Sequence, residues 1–294
     1  MKVNGVEIED TFAEAFDSWY SRFIVTAVNE RWARTAATEA TGFGTSLIAC
    51  SAEAGIERML SPGETPDSRP GCAAMVFAPK KNLTMELVKR IGQCVLTAPT
   101  TRVFALGGGE EIDVGYKLKY FGDGYEEVRE AFGREMVVVP IMMGEFMIER
   151  NLSMAKGVAG GNIIILAESA ESALTAAERA VEAISMQEGT ITPFPGGIVA
   201  SGSKVGSKKY RFMPATTNER FCPTLKNRVE NSALDSETNA VAEVVIDGIS
   251  PSAVAEAMRL GIEAATQVRG VRRITAGNYG GKLGKHKIHL HELF

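Results

Sequence analysis

Apolar and polar residues are arranged in two different patterns in the N-terminal half of the chain. Short apolar runs predict strands at residues 23–27, 46–50, 72–78 and 101–106, and longer amphipathic stretches predict helices at 29–40 and 83–96. In the second helix Leu83, Leu87, Ile91 and Val95 recur at every fourth position, which places them on one face. The resulting order, strand–helix–strand–strand–helix–strand, is the split βαβ pattern of a ferredoxin-like unit.

A further pair of strands is predicted at residues 115–121 and 137–148, with Gly144 interrupting the second. The chain then enters a region with a different internal organisation. We therefore expect two lobes, one formed by residues 1–150 and the other by residues 151–294.

The C-terminal half contains an internal repeat of a strand, a helix and a second strand. The first copy covers 162–167, 172–184 and a strand entering Ile191-Thr192, and the second covers 241–246, 252–265 and a strand entering Ile274-Thr275. When Ser172 is aligned on Ser252, Glu243 falls on Ile163. Two such copies again make a ferredoxin-like lobe, so the predicted fold class is α+β with two ferredoxin-like lobes.

Composition and charge narrow the function. The chain has 294 residues, 45% of them hydrophobic and 23% charged, which is typical of a globular protein with a sizeable core. The formal net charge is −4, so a whole-molecule attraction to nucleic acid or to an anionic membrane is not expected. Anion binding would have to come from local basic patches.

Nothing in the chain indicates export or membrane insertion. The N-terminus lacks a basic segment followed by an apolar one, and the apolar segment 137–143 is short and contains Pro140. The four cysteines are far apart and form no Cys-x-x-Cys pair, which is typical of thiols in a reduced compartment. We expect a cytoplasmic protein.

Two glycine-rich segments are the first candidates for chemistry, because each lies in a window without acidic residues. These windows are 189–218 and 264–291, and each carries several lysines and arginines. Glycine lets a ligand approach the backbone closely, and lysine binds phosphate or carboxylate through charge-assisted hydrogen bonds. The candidate substrate-binding residues are Gly196, Gly197, Ser201, Ser203, Lys204, Ser207 and Lys208 in the first segment, and Asn278, Tyr279, Gly280, Gly281 and Lys282 in the second.

The alternative is a pair of tight turns on a basic surface. Neither segment matches the G-x-x-x-x-G-K-[ST] phosphate-binding loop, so a nucleotide-hydrolysing enzyme of that class is rejected.

Glu243 is the candidate catalytic residue. It lies in the middle of an apolar strand with Val241 and Val245 on the same face. Burial raises the pKa of a carboxyl group, which would allow Glu243 to hold a proton near neutral pH and act as a general acid. The alternative is an edge-strand glutamate that faces water or pairs with an arginine.

The three histidines, His286, His289 and His291, lie together near the C-terminus. In a strand His289 and His291 would share a face. We do not expect them to bind a metal or to serve a Ser-His-Asp triad.

With these residues in view, the chain resembles the formylmethanofuran:tetrahydromethanopterin formyltransferases over essentially its full length. The stretches that carry the resemblance are residues 4–16, 39–45, 90–94, 120–125, 157–162, 193–208, 280–284 and 288–291. They include Tyr120-Phe121-Gly122-Asp123-Gly124-Tyr125 and Gly280-Gly281-Lys282-Leu283-Gly284.

The resemblance implies transfer of a formyl group between methanofuran and N5 of a tetrahydropterin, in one-carbon metabolism such as methanogenesis. It implies no bound cofactor and no metal, with formylmethanofuran and tetrahydromethanopterin as substrates. It also implies two ferredoxin-like lobes per subunit and a homo-oligomer, either a dimer or a tetramer. The family's catalytic glutamate falls on Glu243, and the two acid-free windows would hold the anionic tails of the substrates.

Two other functions stay open at this point. One is a non-catalytic subunit that binds the pterin or methanofuran within a larger formyl-processing complex. The other is an anion-binding regulatory module of ferredoxin-like type, for which the ligand would be a nucleotide.

Overall fold

The computed structural model describes all 294 residues as a mixed α+β protein. The strands are β1 Lys2–Val3, β2 Val6–Ile8, β3 Phe12–Thr26, β4 Glu53–Leu60, β5 Gly71–Ala78, β6 Arg102–Ala105, β7 Glu110–Ile112, β8 Glu127–Ala131, β9 Arg134–Ile141, β10 Gly144–Glu149, β11 Leu152–Ala167, β12 Thr190–Ile191, β13 Lys204–Val205, β14 Ala215–Thr216, β15 Ala240–Gly248, β16 Val271–Thr275 and β17 His286–His289. The helices are α1 Glu30–Thr41, α2 Lys80–Arg90, α3 Val114–Leu118, α4 Ala170–Ile184 and α5 Pro251–Ala265.

The chain forms two compact units, and one of them is discontinuous in sequence. One unit is Ser18–Gly157, and the other combines Met1–Asp17 with Val158–Phe294. A single boundary near residue 150 would assign the first 17 residues to the other unit. They belong with the C-terminal residues because β2 pairs in parallel with β16, and β17 pairs with the first residues of β3.

The unit Ser18–Gly157 contains a sheet in which β6, β3, β5 and β4 are neighbours in that order, all antiparallel. The side chain of Asn29 caps α1 by accepting a hydrogen bond from the Trp32 amide. The predicted apolar face of the second helix is confirmed, since Leu83, Leu87, Ile91 and Val95 are all fully buried. The last two of these lie in a π-helical turn, 91–95, that continues α2.

Two predicted strands of this unit are wrong. Residues 46–50 form a turn in which the Ser46 carbonyl accepts hydrogen bonds from the Ala49 and Cys50 amides, and the strand lies later, at β4. Residues 115–121 are helical, because α3 and a following 3-10 turn cover them. In both places a short apolar run has no unique period, so it does not separate strand from helix or turn.

In the unit of Met1–Asp17 and Val158–Phe294, the strands β16, β11, β15 and β12 are neighbours in that order, again antiparallel throughout. Helices α4 and α5 pack on one face of these strands, and their contact is lined by alanine and Gly261. Small side chains let two helices approach closely. The opposite face of the sheet carries the candidate site.

The repeat is present, but its register differs by one residue from the alignment made on sequence. The N-caps Ser169 and Ser250 are 81 positions apart, and so are the C-caps Ser185 and Thr266. The buried positions of α4 recur in α5 with the same spacing. Because β11 and β15 also end 81 positions apart, Glu243 corresponds to Asn162, and its alignment on Ile163 is wrong.

None of the helices combines the length and the apolar character that a membrane span requires.

Candidate active site

Glu243 lies on an interior strand. On β15, Ala242 and Val244 are buried towards the helices, so Glu243 points to the opposite face. Its strand neighbour on one side is Ile164 of β11. On the other side the Val199 amide donates to the Glu243 carbonyl at 2.8 Å, and the Glu243 amide donates back at 3.1 Å. The alternative of an exposed edge-strand glutamate is therefore wrong.

The Glu243 side chain lines a cavity of about 180 Å³. The other lining residues are Ile164, Val199, Ala200, Ser201, Gly202, Asn218, Phe221, Cys222, Pro223, Thr224 and Val241. None of these carries a positive charge, and Glu243 is the only carboxyl among them. The cavity thus combines an apolar wall with a few hydroxyl and amide groups, which is the composition of a small-molecule site.

This environment changes the acid strength of Glu243. Burial raises the pKa of its carboxyl to about 7. No hydrogen bond or ion pair to the side chain lowers this pKa again. Part of the residue is accessible through the cavity. A carboxyl with a pKa near 7 exists in both protonation states at neutral pH, as a general acid–base group requires.

The first glycine segment reaches this cavity at Ser201, which is one of its lining residues. Gly197 has a packing role, since a Cβ there would come within 2.6 Å of Thr192 Oγ1 and 2.7 Å of the Val181 side chain. Gly196 faces open space at φ 62°. Ser203 is exposed.

The far end of the same segment is held by internal bonds. Ser207 Oγ accepts hydrogen bonds from the Lys209 and Tyr210 amides and closes a turn. Lys204 and Lys208 both contact Glu219, at 2.6 Å each. These two lysines hold the pKa of Glu219 at about 2. Glu219 is the first acidic residue after the acid-free window, and its single carboxylate pairs with both lysines and leaves a net positive charge.

The second glycine segment wraps around a carboxylate that the sequence analysis did not single out. Glu14 of β3 is only 1% exposed, and it accepts hydrogen bonds from the amides of Tyr279, Gly281, Leu283 and Gly284. Burial alone would raise the pKa of Glu14, but the four amides outweigh it and lower the pKa below its usual value. In a strand, an acidic residue between two apolar neighbours normally faces water, so no local signal pointed to this role.

The remaining candidates of this segment differ in whether their side chains already have bonding partners. Asn278 donates to Thr11 Oγ1 at 3.2 Å and to the Phe12 carbonyl at 3.1 Å, and accepts from the Gly280 amide. Lys282 is exposed and has no ion pair.

Tyr279 connects this segment to Glu243. Burial raises the pKa of its phenol, and the negative charges of Glu243 and then Glu14 raise it further. The tyrosine ring packs edge-on against Phe16, with centroids 6.1 Å apart. Of the twelve predicted binding residues, Ser201 is therefore the one that lines the cavity together with Glu243, and Tyr279 is the one whose phenol pKa the Glu243 charge raises.

The histidines lie apart from this site and do different things. His286 Nε2 is 2.8 Å from Asp17, His289 packs against Phe12, and His291 Nε2 is 2.8 Å from the Ile8 carbonyl. The expectation that His289 and His291 share a strand face is wrong, because β17 ends at His289 and a 3-10 turn follows. No group of three or more His, Cys, Asp or Glu side chains has an arrangement suited to a metal ion.

An α+β chain with a carboxyl of raised pKa in a small cavity has a group that an acid–base enzyme can use. The sequence profile described as formylmethanofuran-tetrahydromethanopterin formyltransferase matches residues 1–141, and the profile of the proximal lobe of the same protein matches residues 144–293. The chain therefore belongs to the formylmethanofuran–tetrahydromethanopterin formyltransferase family.

Individual relatives agree with this assignment. The formyltransferase of Methanocaldococcus jannaschii is 57% identical over the whole of both chains. The solved formylmethanofuran:tetrahydromethanopterin formyltransferase of Methanosarcina barkeri superposes with a TM-score of 0.97 at 55% identity, covering both chains completely. A chain of the formyltransferase/hydrolase complex from Methylorubrum extorquens, solved with methylofuran, gives a TM-score of 0.95 at 46% identity, covering 100% of this chain and 98% of that one.

Proposed function

We propose that the protein transfers a formyl group between formylmethanofuran and N5 of tetrahydromethanopterin or a close pterin variant. The observation that carries the proposal is the full-length match to the formyltransferase family, and the Glu243 carboxyl in its cavity supplies a group suited to proton transfer.

The reaction needs two protons to move. The attacking amine forms a C–N bond to the formyl carbon, and the carbonyl oxygen becomes an oxyanion. Protonated Glu243 donates a proton to this oxygen, which stabilises the tetrahedral intermediate. The carboxylate of Glu243 then takes the proton of the attacking nitrogen and passes it to the departing nitrogen, whose C–N bond breaks. As the C=O bond re-forms, the oxygen returns its proton to Glu243. Holding the two substrates in register lowers the barrier further, by up to about 7–11 kcal/mol.

The substrate contacts follow from the accessible groups. Ser201 lines the cavity, Tyr279 lies near Glu243, and Lys282 offers an unpaired cation for an anionic substrate tail. Lys204 and Lys208 are already paired with Glu219, so they shape the first segment and place Ser201.

The proposal extends to fold detail and assembly. We infer that each unit is ferredoxin-like. In each unit, the first strand of the βαββαβ pattern lies between the fourth strand and the third strand. We also infer a homo-oligomer, a dimer or a tetramer, working on these coenzymes in the cytoplasm.

The test is formyl transfer by the purified chain and its Glu243→Gln variant. Glutamine keeps the size of the side chain but cannot give up or take a proton in this way, so kcat should fall by about 10²–10⁴-fold while both substrates still bind. Glu182→Gln, an exposed change on α4, serves as the control and should behave as wild type. Near-normal kcat in Glu243→Gln would remove this residue from the mechanism.

A second function is a non-catalytic binding subunit, because a similar chain is part of a formyltransferase/hydrolase complex. Wild-type protein that binds methanofuran and the pterin but transfers no formyl group would favour it.

A further inference from the structure

Glu14 is a buried carboxylate that the proposed proton transfer does not use. Its two oxygens take all four of their hydrogen bonds from backbone amides, two at Oε2 and two at Oε1, with N···O distances from 2.5 to 2.9 Å. No ion pair is formed with it. Such an arrangement of converging amides binds an anion, and here the anion belongs to the protein itself.

The segment 279–284 is built for this arrangement. Gly280 and Gly281 have φ values of 69° and 71°, which turn successive amides in one direction. A Cβ at Gly284 would lie 2.5 Å from the Ala15 carbonyl oxygen, so only glycine lets the segment come this close to β3. The conformation of the segment therefore depends on the carboxylate at its centre.

The segment begins with Tyr279, whose amide is one of the four donors at 2.7 Å. Phe16, two residues after Glu14 on the same face of β3, packs edge-on against the tyrosine ring. Glu14 thus holds the backbone of Tyr279, and Phe16 holds its ring.

The sheet brings Tyr279 towards Glu243. Ile164 on β11 has Glu243 as its partner on one side and Thr275 on the other, so these two residues are roughly 10 Å apart on one face. Tyr279 follows Thr275 by four residues, and Asn162 holds the intervening Gly277 by two hydrogen bonds at 2.6 and 3.2 Å. The effect of the Glu243 charge on the Tyr279 phenol agrees with this placement.

We propose that Glu14 is a positioning residue, which folds the segment 279–284 around its carboxylate and so holds Tyr279 on the face of the sheet that carries Glu243, where its hydroxyl donates a hydrogen bond to the substrate. This inference rests on the proposed function for its catalytic consequence, but the placement of Tyr279 can be measured without turnover.

The first measurement is therefore the titration of the Tyr279 phenol. Ultraviolet difference absorbance, with Tyr279→Phe subtracted to remove the other five of the six tyrosines, isolates this group. Glu243→Gln should lower the phenol pKa, because a nearby negative charge is lost. In a Glu14→Gln background the same change should have little effect, since glutamine presents an NH₂ group to at least two of the four amides and releases the segment. An equal shift in both backgrounds, or no shift in either, would overturn the proposal.

The second measurement is formyl transfer. Glu14→Gln and Tyr279→Phe should each lower kcat, by about 10- to 100-fold for Glu14→Gln, with a smaller change in KM. The double variant should lose no more than the more damaging single change, because Glu14 acts through Tyr279. Losses that multiply would refute this. Glu7→Gln, an exposed change on β2, is the matched control.

The two measurements have two other possible outcomes. If Glu14→Gln does not fold, Phe16→Leu removes only the ring contact and should give the same loss of coupling in the titration. If wild type transfers no formyl group, the proposed function fails, while the titration still decides where Tyr279 lies.

Discussion

Glu14 and Glu243 of one unit have opposite pKa shifts although burial raises the pKa of both. Glu14 has four amide donors and titrates below its usual range, whereas Glu243 has no partner for its side chain and titrates near 7. The difference is in the hydrogen bonds, since burial acts in the same direction on both. The first arrangement fixes structure, and the second leaves a proton available for chemistry.

The raised pKa of Glu243 makes the stability of the fold depend on pH. Its carboxyl holds a proton more tightly in the folded protein than in the unfolded chain, where the ordinary value of 4.5 applies. The stabilisation is fully present below pH 4.5 and is lost as pH rises through 7, with an upper limit of about 3 kcal/mol.

Urea unfolding at pH 5 and pH 8 tests this. Wild type should lose more free energy of unfolding between these pH values than Glu243→Gln, which has no carboxyl to ionise. The exposed Glu182→Gln variant should follow wild type. Parallel pH dependence in all three proteins would show that Glu243 is well hydrated.

Helices and strands were predicted correctly where a long sequence pattern repeated, and incorrectly where the pattern was short. The four-residue spacing from Leu83 to Val95 gave a correct helix face, because several turns agree with one another. The strand β4 was missed because its charged residues, among them Glu57, are buried through an ion pair with Arg22 from another strand. A tertiary contact of this kind leaves no local signal.

The same limit applies to the site. Glu243 could be found from sequence because an acid stands out in an apolar strand. The partners of Glu14 lie 265 to 270 positions away along the chain, so the two acid-free segments looked alike. One of them in fact encloses a carboxylate of the protein, and in the other Lys204 and Lys208 pair with Glu219.

The turn that follows β12 gives a prediction at the level of one element. Gly197→Ala should destabilise the protein by more than about 1 kcal/mol, since the new Cβ meets Thr192 and Val181 and φ is 81°. Gly196→Ala, with a similar φ of 62° but open space around it, is the control and should cost less. Thermal unfolding of the two variants measures the difference, and equal losses would mean that only backbone strain matters.

At the scale of the whole molecule, the N-terminal residues complete a unit whose remainder lies far along the chain. Met1–Asp17 supplies β2, which extends the sheet, and Glu14, which holds the segment 279–284. The terminal amine is 3.2 Å from His291 Nε2, so the two ends of the chain are close together. A short linker can therefore join them.

A permuted fragment tests whether this unit folds by itself. Residues 158–294 followed by a short Gly-Ser linker and residues 1–17 should unfold cooperatively, as judged by circular dichroism. Residues 158–294 alone should not, since they lack β2 and Glu14. Equal cooperativity of the two fragments would show that the first 17 residues are dispensable for the unit.

Asn162 and Glu243 occupy the same position in the two βαβ copies. The Asn162 side chain forms two hydrogen bonds with the Gly277 backbone. In one copy the polar side chain at this position bonds the scaffold, and in the other the carboxyl has no fixed partner. Asn162 therefore shows what the position does when it serves structure alone.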